Sequence, residues 1–294
     1  MTQAGHERLA DAALYAHFHL DGPLSTATLA GVANLSAHAF HRRFLAAFGE
    51  TPASYVRRLR LERAAWRLQL HGDSILAIAL DCGFGDHETF SRAFRRHYGL
   101  SPRDWRRAGR FPGRARRERD HENEEGTAGY TLSPTRIRTL NAQTIAFIRH
   151  VGPYEAVDPA LWDELGRWAD EAGLPPERPL LGIGHDAPGI TAPEKLRFDA
   201  AIAVPPGTSG DRVRGRVRIG ALPAFRCAVT THVGSYFTLP EAYPRILALS
   251  LAAAPKLLGL PVIEIYDDET VSTVRPISRT EVHLPIAQLP AGAG

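Results

Sequence analysis

Cysteine is almost missing: Cys82 and Cys227 are the two thiols in 294 residues. Two thiols cannot staple a small scaffold, so a disulfide framework is excluded and a reducing compartment fits. Long apolar runs are also missing. The longest, Ile246 to Ala254, falls far short of the roughly 20 residues a bilayer requires, so no membrane partner is expected. The opening residues, MTQAGHERLADAAL, lack a charged head, an apolar stretch and a cleavage site in series, and do not read as a secretory leader. A cytoplasmic protein is the expectation. The thirteen histidines, His17-x-His19 among them, have no cysteines or paired acids at ligand spacing. There is no phosphate-cradling glycine loop and no nucleophile elbow. No metal and no cofactor are therefore expected. Lysine is scarce too, two against 33 arginines. Arginine supplies the forked donors that suit phosphate and guanine.

What is present is ordinary globular material, 44% hydrophobic and 23% charged, in a length that suits about two domains. The net charge of +3 is uneven: residues 1–110 carry +5 and the rest is slightly acidic. A basic segment joined to a near-neutral one points to nucleic acid at one end. The stretch from Ala108 to Gly129 is charged, rich in glycine and without periodicity, so residues 109–129 read as a flexible linker. Such a linker implies weak mechanical coupling between its two sides. Residues 1–108 show helical spacing of apolar residues, Leu24, Leu29, Val32, Phe40 and Phe44 among them. Residues 130–290 mix alternating runs such as TIAFIRHV and VIEIY with helical ones such as PALWDELGRWADEAGL. The expected fold class is multidomain, an all-α part followed by an α+β part.

Each part is internally repeated. In the first, FHRRFLAAFGETPASYVRR aligns with FSRAFRRHYGLSPRDWRR at an offset of 50. Phe40, Arg42, Phe44, Gly49, Pro52 and Tyr55 meet Phe90, Arg92, Phe94, Gly99, Pro102 and Trp105. Each unit reads as a short helix, a tight turn and a longer helix, capped by Ser36 or Asp86. That is helix-turn-helix spacing, twice. Residues 52–70 read as a rigid connecting helix. The aromatics recur every four residues and face inward as core. His38, His41 and Arg42, with Asp86, His87, Glu88, Ser91 and Arg92, lie near the helix N-termini on the outer side. That end of a recognition helix reaches base edges in the major groove, and an arginine there can take guanine with two bonds. These eight are the candidate DNA-binding residues.

The run IxxIALDCGFGDHETFSRAFRRHYGLSPRDWR, within residues 10–108, resembles the DNA-binding domain of the AraC/XylS family of bacterial transcription regulators. The resemblance implies a monomeric domain whose two recognition helices enter successive major-groove segments of double-stranded DNA. It also implies RNA polymerase as a partner. The sequence departs from better-known members at His38 and Glu88, so its preferred bases do not carry over.

In the second part the offset is 82: His150-Val151-Gly152 meets His232-Val233-Gly234, Tyr154 meets Tyr236, and Ile183 and Asp186 meet Ile265 and Asp268. Thr191 meets Thr273, Arg197 meets Arg279, and Asp199 is answered by Glu281. Each unit reads as strand, turn, helix and two strands, giving two pseudo-symmetric βαββ repeats with a groove between halves. Tyr154, Trp162, Phe198, Tyr236 and Tyr266 offer flat apolar surface there, while Phe147, Trp168 and Phe225 read as ordinary core. In VIEIY, if Ile263 and Ile265 face the core, then Val262, Glu264 and Tyr266 face the groove. A carboxylate among aromatic rings holds an organic cation by charge and by ring quadrupole. The candidate ligand residues are thus Tyr154, Trp162, Phe198, Tyr236, Glu264 and Tyr266. The pieces HVGPY, GHDAP, TAPEKLRFDAAI, THVGSY and EIYDD, within 131–288, resemble the GyrI-like (SHS2-type) effector-binding family. In that family the residue matching Glu264 is associated with ligand recognition. The order of the two parts resembles the Rob-type architecture.

The expected function is a DNA-binding transcription regulator, read as an activator, that responds to a small amphipathic, cationic or aromatic effector. Some GyrI-like members hydrolyse strained toxins with a groove glutamate and a tyrosine, so a fused hydrolase is the alternative. It ranks second, because a sensor has an immediate use for an attached DNA-binding domain. A purely architectural DNA binder is the third reading.

Overall fold

The computed structural model describes residues 3–109, 129–208, 215–254, 257–258, 261–267 and 278–286. Most of the expected linker, together with Asp268 and Thr273, lies outside them.

The first part is helical: α1 (Gln3–Phe18), α2 (Thr26–Val32), α3 (Ala37–Phe48), α4 (Pro52–Leu70), α5 (Ile75–Asp81), α6 (His87–Tyr98) and α7 (Pro102–Ala108). Its starts are written in the sequence as side chains that accept orphan backbone N–H groups. Ser36 accepts from Ala39 N, Asp86 from Thr89 N, Ser74 from Ala77 N and Thr51 from Ser54 N. Both helix-turn-helix turns pass through left-handed backbone at equivalent places, Asn34 (φ 51°) and Gly83 (φ 76°). Asparagine and glycine tolerate that conformation best. The aromatic triads lie inward as expected. Phe40, Phe44 and Phe48 stack in series with Tyr55 across Phe44 at 5.2 Å, and Phe90, Phe94 and Tyr98 repeat the pattern with Trp105 at 5.8 Å.

The second part is built from β1 (Tyr130–Leu132), β2 (Arg136–Leu140), β3 (Gln143–Val151), α8 (Ala160–Glu171), β4 (Leu180–Gly184), β5 (Arg197–Val204), β6 (Arg218–Leu222), β7 (Phe225–Gly234), α9 (Leu239–Ala253), β8 (Val262–Tyr266) and β9 (Ser278–Pro285). The strands form one antiparallel sheet in the order β1-β7-β9-β8-β4-β5-β3-β6, with β2 also on β7. The repeat holds down to register. Ile148 pairs with Ala200 on β3–β5, and Thr230 pairs with Val282 on β7–β9, each 82 residues on. The repeat is also one strand longer than its βαββ core. RIRTL on β2 pairs with β7 as RIGAL on β6 pairs with β3, again 82 residues apart. Each unit is therefore ββαββ.

The halves meet at β4–β8, where Gly182 faces Glu264. Those two residues are themselves 82 apart, so the pseudo-twofold axis passes between them.

The two parts pack together, a contact that the composition of the linker did not indicate. Phe18 of α1 sits 5.1 Å from Phe225 of β7. Asp11 accepts from Ala221 N of β6 at 3.4 Å. Trp66 of α4 joins the apolar cluster of Ala187, Ala228, Leu239 and Ile246. These contacts among the described residues join the two parts.

Candidate functional site

The two recognition helices present their outer faces to solvent. His38, His41 and Arg42 on α3 are exposed, as are Asp86, His87, Glu88 and Arg92 at the start of α6, with Ser91 half-buried. Arg92 forms an i,i+4 pair with Glu88 at 3.2 Å, and its side chain is still 69% exposed. A pair this open is weak enough to be exchanged for a base edge. Ser91 approaches His87 Nε2 at 3.5 Å. Asp86 is committed as a cap: it accepts from Thr89 N at 2.7 Å and Thr89 Oγ1 at 2.8 Å. Those bonds from Thr89 hold its carboxyl below the usual range. The second part docks on the other side, against α1, α4 and the α3–α4 turn, and leaves these residues uncovered.

The six expected ligand residues come together around the axis. Tyr154 meets Phe198 at 5.6 Å, Phe198 meets Trp162 at 6.0 Å, Trp162 meets Tyr266 at 5.6 Å, and Tyr266 meets Tyr236 at 5.8 Å. The alternation along β8 is as expected: Ile263 and Ile265 join the core on one face, and Glu264 and Tyr266 lie on the other. The cluster is closed rather than an open groove. Trp162, Phe198 and Tyr266 are buried, and Glu264 is 6% exposed. Trp162 also donates Nε1–H to Leu181 O at 3.2 Å, tying it to the sheet.

The Glu264 carboxylate accepts from the Tyr243 hydroxyl with one oxygen and from the Tyr266 hydroxyl with the other. Burial pushes its pKa up, and the two phenol bonds oppose that only in part. Burial first, then the Glu264 charge, pushes both tyrosines well above their usual range, so they remain donors. Among the described residues no cation pairs with Glu264, and a buried carboxylate held only by neutral donors gains most when a cation arrives.

Two contributors escaped sequence reasoning. Tyr243 lies on α9, whose apolar run hid a polar partner for Glu264. Gly182 is the other: a Cβ there would lie 2.6 Å from Phe198 Cζ and closer still to Tyr266 Oη. The axis thus carries a carboxylate on one strand and open space for rings on the other. The signal was present, since Gly182 and Glu264 stand at the repeat offset.

A third cluster lies between the parts. Arg197 forks onto Asp186 at 2.6 and 2.8 Å, donates to Tyr55 Oη at 2.5 Å and meets His17 Nε2 at 3.3 Å. Arg58 of α4 reaches Asp186 at 3.8 Å and binds Glu50 and Glu62. Asp199 is held by Arg149 at 2.7 Å and His185 at 2.6 Å. Of the repeat equivalents, Arg279 is exposed and Glu281 half-buried, 58% and 24% exposed along their side chains. Tyr154 touches both clusters, packing on Phe198 while its hydroxyl donates to Asp186 O at 2.7 Å.

The family model for GyrI-like small molecule binding domains matches residues 133–287, more than half of the chain. This chain belongs to the GyrI-like family. A helix-turn-helix domain model matches residues 29–108, and the GyrI-like chain thus carries an AraC-type helix-turn-helix domain ahead of its sheet. The HTH-type transcriptional regulator Rv1931c of Mycobacterium tuberculosis is 44% identical over 80 residues, 27% of this chain and 31% of that protein. The HTH-type transcriptional activator RhaS of an Enterobacter species is 41% identical over 88 residues, 30% and 32% of the two chains. The right origin-binding protein of Escherichia coli is 36% identical over 108 residues, 37% of each. The chain spans about a third of the length of these curated relatives. A crystal structure of an AraC-type transcriptional regulator from Chromobacterium violaceum aligns at 33% identity and a TM-score of 0.35, over 37% of this chain and 96% of that one. Among the described residues, no helix is long and apolar enough to cross a membrane.

Proposed function

We propose that this protein is a transcription regulator that binds double-stranded DNA through α3 and α6 and responds to a small organic cation at Glu264. The observation that carries the reading is the joining of two exposed recognition helices, each with an arginine at the same repeat position, to a family domain that buries a carboxylate with no cationic partner among the described residues. His38, His41, Arg42, His87, Glu88, Ser91 and Arg92 are the proposed base-facing residues, with Asp86 setting the start of α6. Tyr154, Trp162, Phe198, Tyr236 and Tyr266 are the proposed aromatic walls, Tyr243 being added as the second donor to Glu264. Activation through RNA polymerase, in the cytoplasm, is the form of regulation that fits the relative named a transcriptional activator.

Hydrolysis fits less well. Both oxygens of Glu264 already accept from phenols, an arrangement suited to sensing charge rather than to drawing a proton from water. The deciding experiment titrates matched cationic and neutral aromatic compounds into the full chain and its Glu264→Gln variant. The cations should lose about tenfold more affinity than the neutral compounds, roughly one lost charge contact. Equal loss for both classes would remove the charge from the recognition. Turnover of any compound that Glu264→Gln abolishes would restore the hydrolase. On the DNA side, affinity should fall steeply as salt rises, because phosphate contacts release counterions. A flat salt response would rule out duplex DNA as the partner.

A further inference from the structure

A cavity of about 510 Å³ lies between the two domains, away from the Glu264 cluster. Its size falls within the range of small-molecule sites. Leu9, Phe48 and Tyr55 of the helical part form one wall, and Phe147 and Val151 of β3 face them. Five cationic side chains and two carboxylates also line it. Three of the cations have carboxylate partners: Arg58 with Glu50 and Glu62, Arg149 with Asp199, and Arg197 with Asp186. That uses Glu50 as well. Lys195 and Arg218 remain, with Glu194 as the other carboxylate of the lining. Among the described residues neither forms an ion pair, and Arg218 donates only to the backbone oxygens of Val217 and Gly215, at 2.7 and 3.2 Å.

We propose that this interdomain cavity is a second ligand site, which takes an aromatic or aliphatic molecule bearing one negative charge. The apolar walls would hold the hydrocarbon body, and Lys195 and Arg218 would meet a carboxylate or sulfonate at the mouth. The preference is opposite in sign to that of the buried carboxylate at the axis, and it holds whether or not Glu264 binds a cation. Because both domains supply walls, the occupied site favours the docked arrangement over any separated one.

The test uses two fluorescent probes on the full chain, anionic 1-anilinonaphthalene-8-sulfonate and its uncharged relative N-phenyl-1-naphthylamine. The expected result is saturable binding of the anionic probe that weakens as salt rises. The double variant Lys195→Glu with Arg218→Glu should lose about tenfold for the anionic probe and little for the neutral one, the scale of two partly exposed charge contacts. Both positions are at least partly exposed, so the fold tolerates the change. Val151→Trp, at a cavity residue 60% exposed, should fill the space and weaken both probes. Unchanged binding of the anion to the double variant overturns the proposal, as does equal loss for both probes. Full binding to Val151→Trp places the probe elsewhere and also overturns it, as does the absence of saturable binding.

Discussion

Both parts of this chain are duplications, but they use repetition in opposite ways. In the helical part the second copy is set beside the first, so each feature appears twice at the surface: two capped recognition helices, two outward arginines, two inward aromatic triads. In the sheet part the copies face each other across an axis, so one site forms where they meet. There the pair Gly182 and Glu264 breaks the symmetry. A side-by-side repeat multiplies a surface, which suits a long repetitive partner such as a duplex. A repeat closed on itself makes one enclosed site, which suits a small molecule. Docking breaks the symmetry again, burying Arg197 and Asp199 and leaving Arg279 exposed and Glu281 half-buried.

The strongest way to break this comparison is at that second asymmetry. Arg197→Ala strands Asp186 in the interior, and should cost about 3–5 kcal/mol of stability in denaturant unfolding. Arg279→Ala, its repeat equivalent at the surface, should stay within about 0.5 kcal/mol. Similar losses at the two positions would mean that the domains do not dock as described. Arg42→Ala and Arg92→Ala should each cost about 1–3 kcal/mol at a cognate DNA site and relax preference at different base positions. If one substitution relaxed both positions, the two recognition helices would not read separate segments.

Gly182→Ala should cost about 1–3 kcal/mol in thermal unfolding, because its methyl must displace Tyr266 or Phe198. Gly166→Ala on α8, where a Cβ meets nothing within 4 Å, should instead stabilise by about 0.4–1 kcal/mol. The gentlest lever is pH. Burial, then the charges of Arg197, His185, Arg63 and Arg58, holds the His17 pKa well below 6.5, so the folded protein keeps it neutral. His185 is lowered too, by burial first. The unfolded chain protonates both below about 6.5, so their contribution is complete above that pH and is lost as pH falls. Asp199 behaves differently. Burial pushes it up, but Arg149 and His185 outweigh that and hold it far below its usual 3.8. Its contribution therefore persists until pH drops below about 4. Stability should thus fall between pH 6.5 and 5, by at most about 1.4 kcal/mol per pH unit per proton, and His17→Gln should flatten that slope.

The helix boundaries were open to reading because their causes are local. Ser36, Ser74 and Asp86 cap the residues three places on, and Asn34 and Gly83 turn the backbone, whatever lies across the molecule. The repeat offset carried the succession of elements in each half for a related reason, since two similar segments fold into similar units. It even implied the extra strand, in RIRTL and RIGAL, which went unread because RIGAL carries glycine and alanine, residues depleted in strands. Glu264 and Tyr266 were legible together, because alternate positions of one strand share a face, whereas Tyr154, Trp162, Phe198 and Tyr236 reach them from other elements.

Partners that come from distant elements left no such trace. Tyr243 reaches Glu264 from a helix that reads as apolar, and Gly182 acts by leaving a space free. The meeting of Arg197 with Tyr55, 142 residues earlier, depends on how two separately folded units dock. Composition and spacing determined that there would be two duplicated domains, which faces would be apolar and where the charges would stand, because those follow from neighbours along the chain. Packing in three dimensions decided which arginine of an equivalent pair would be buried and which carboxylate would be enclosed between two phenols, because burial depends on surfaces the chain brings together only after its parts have folded.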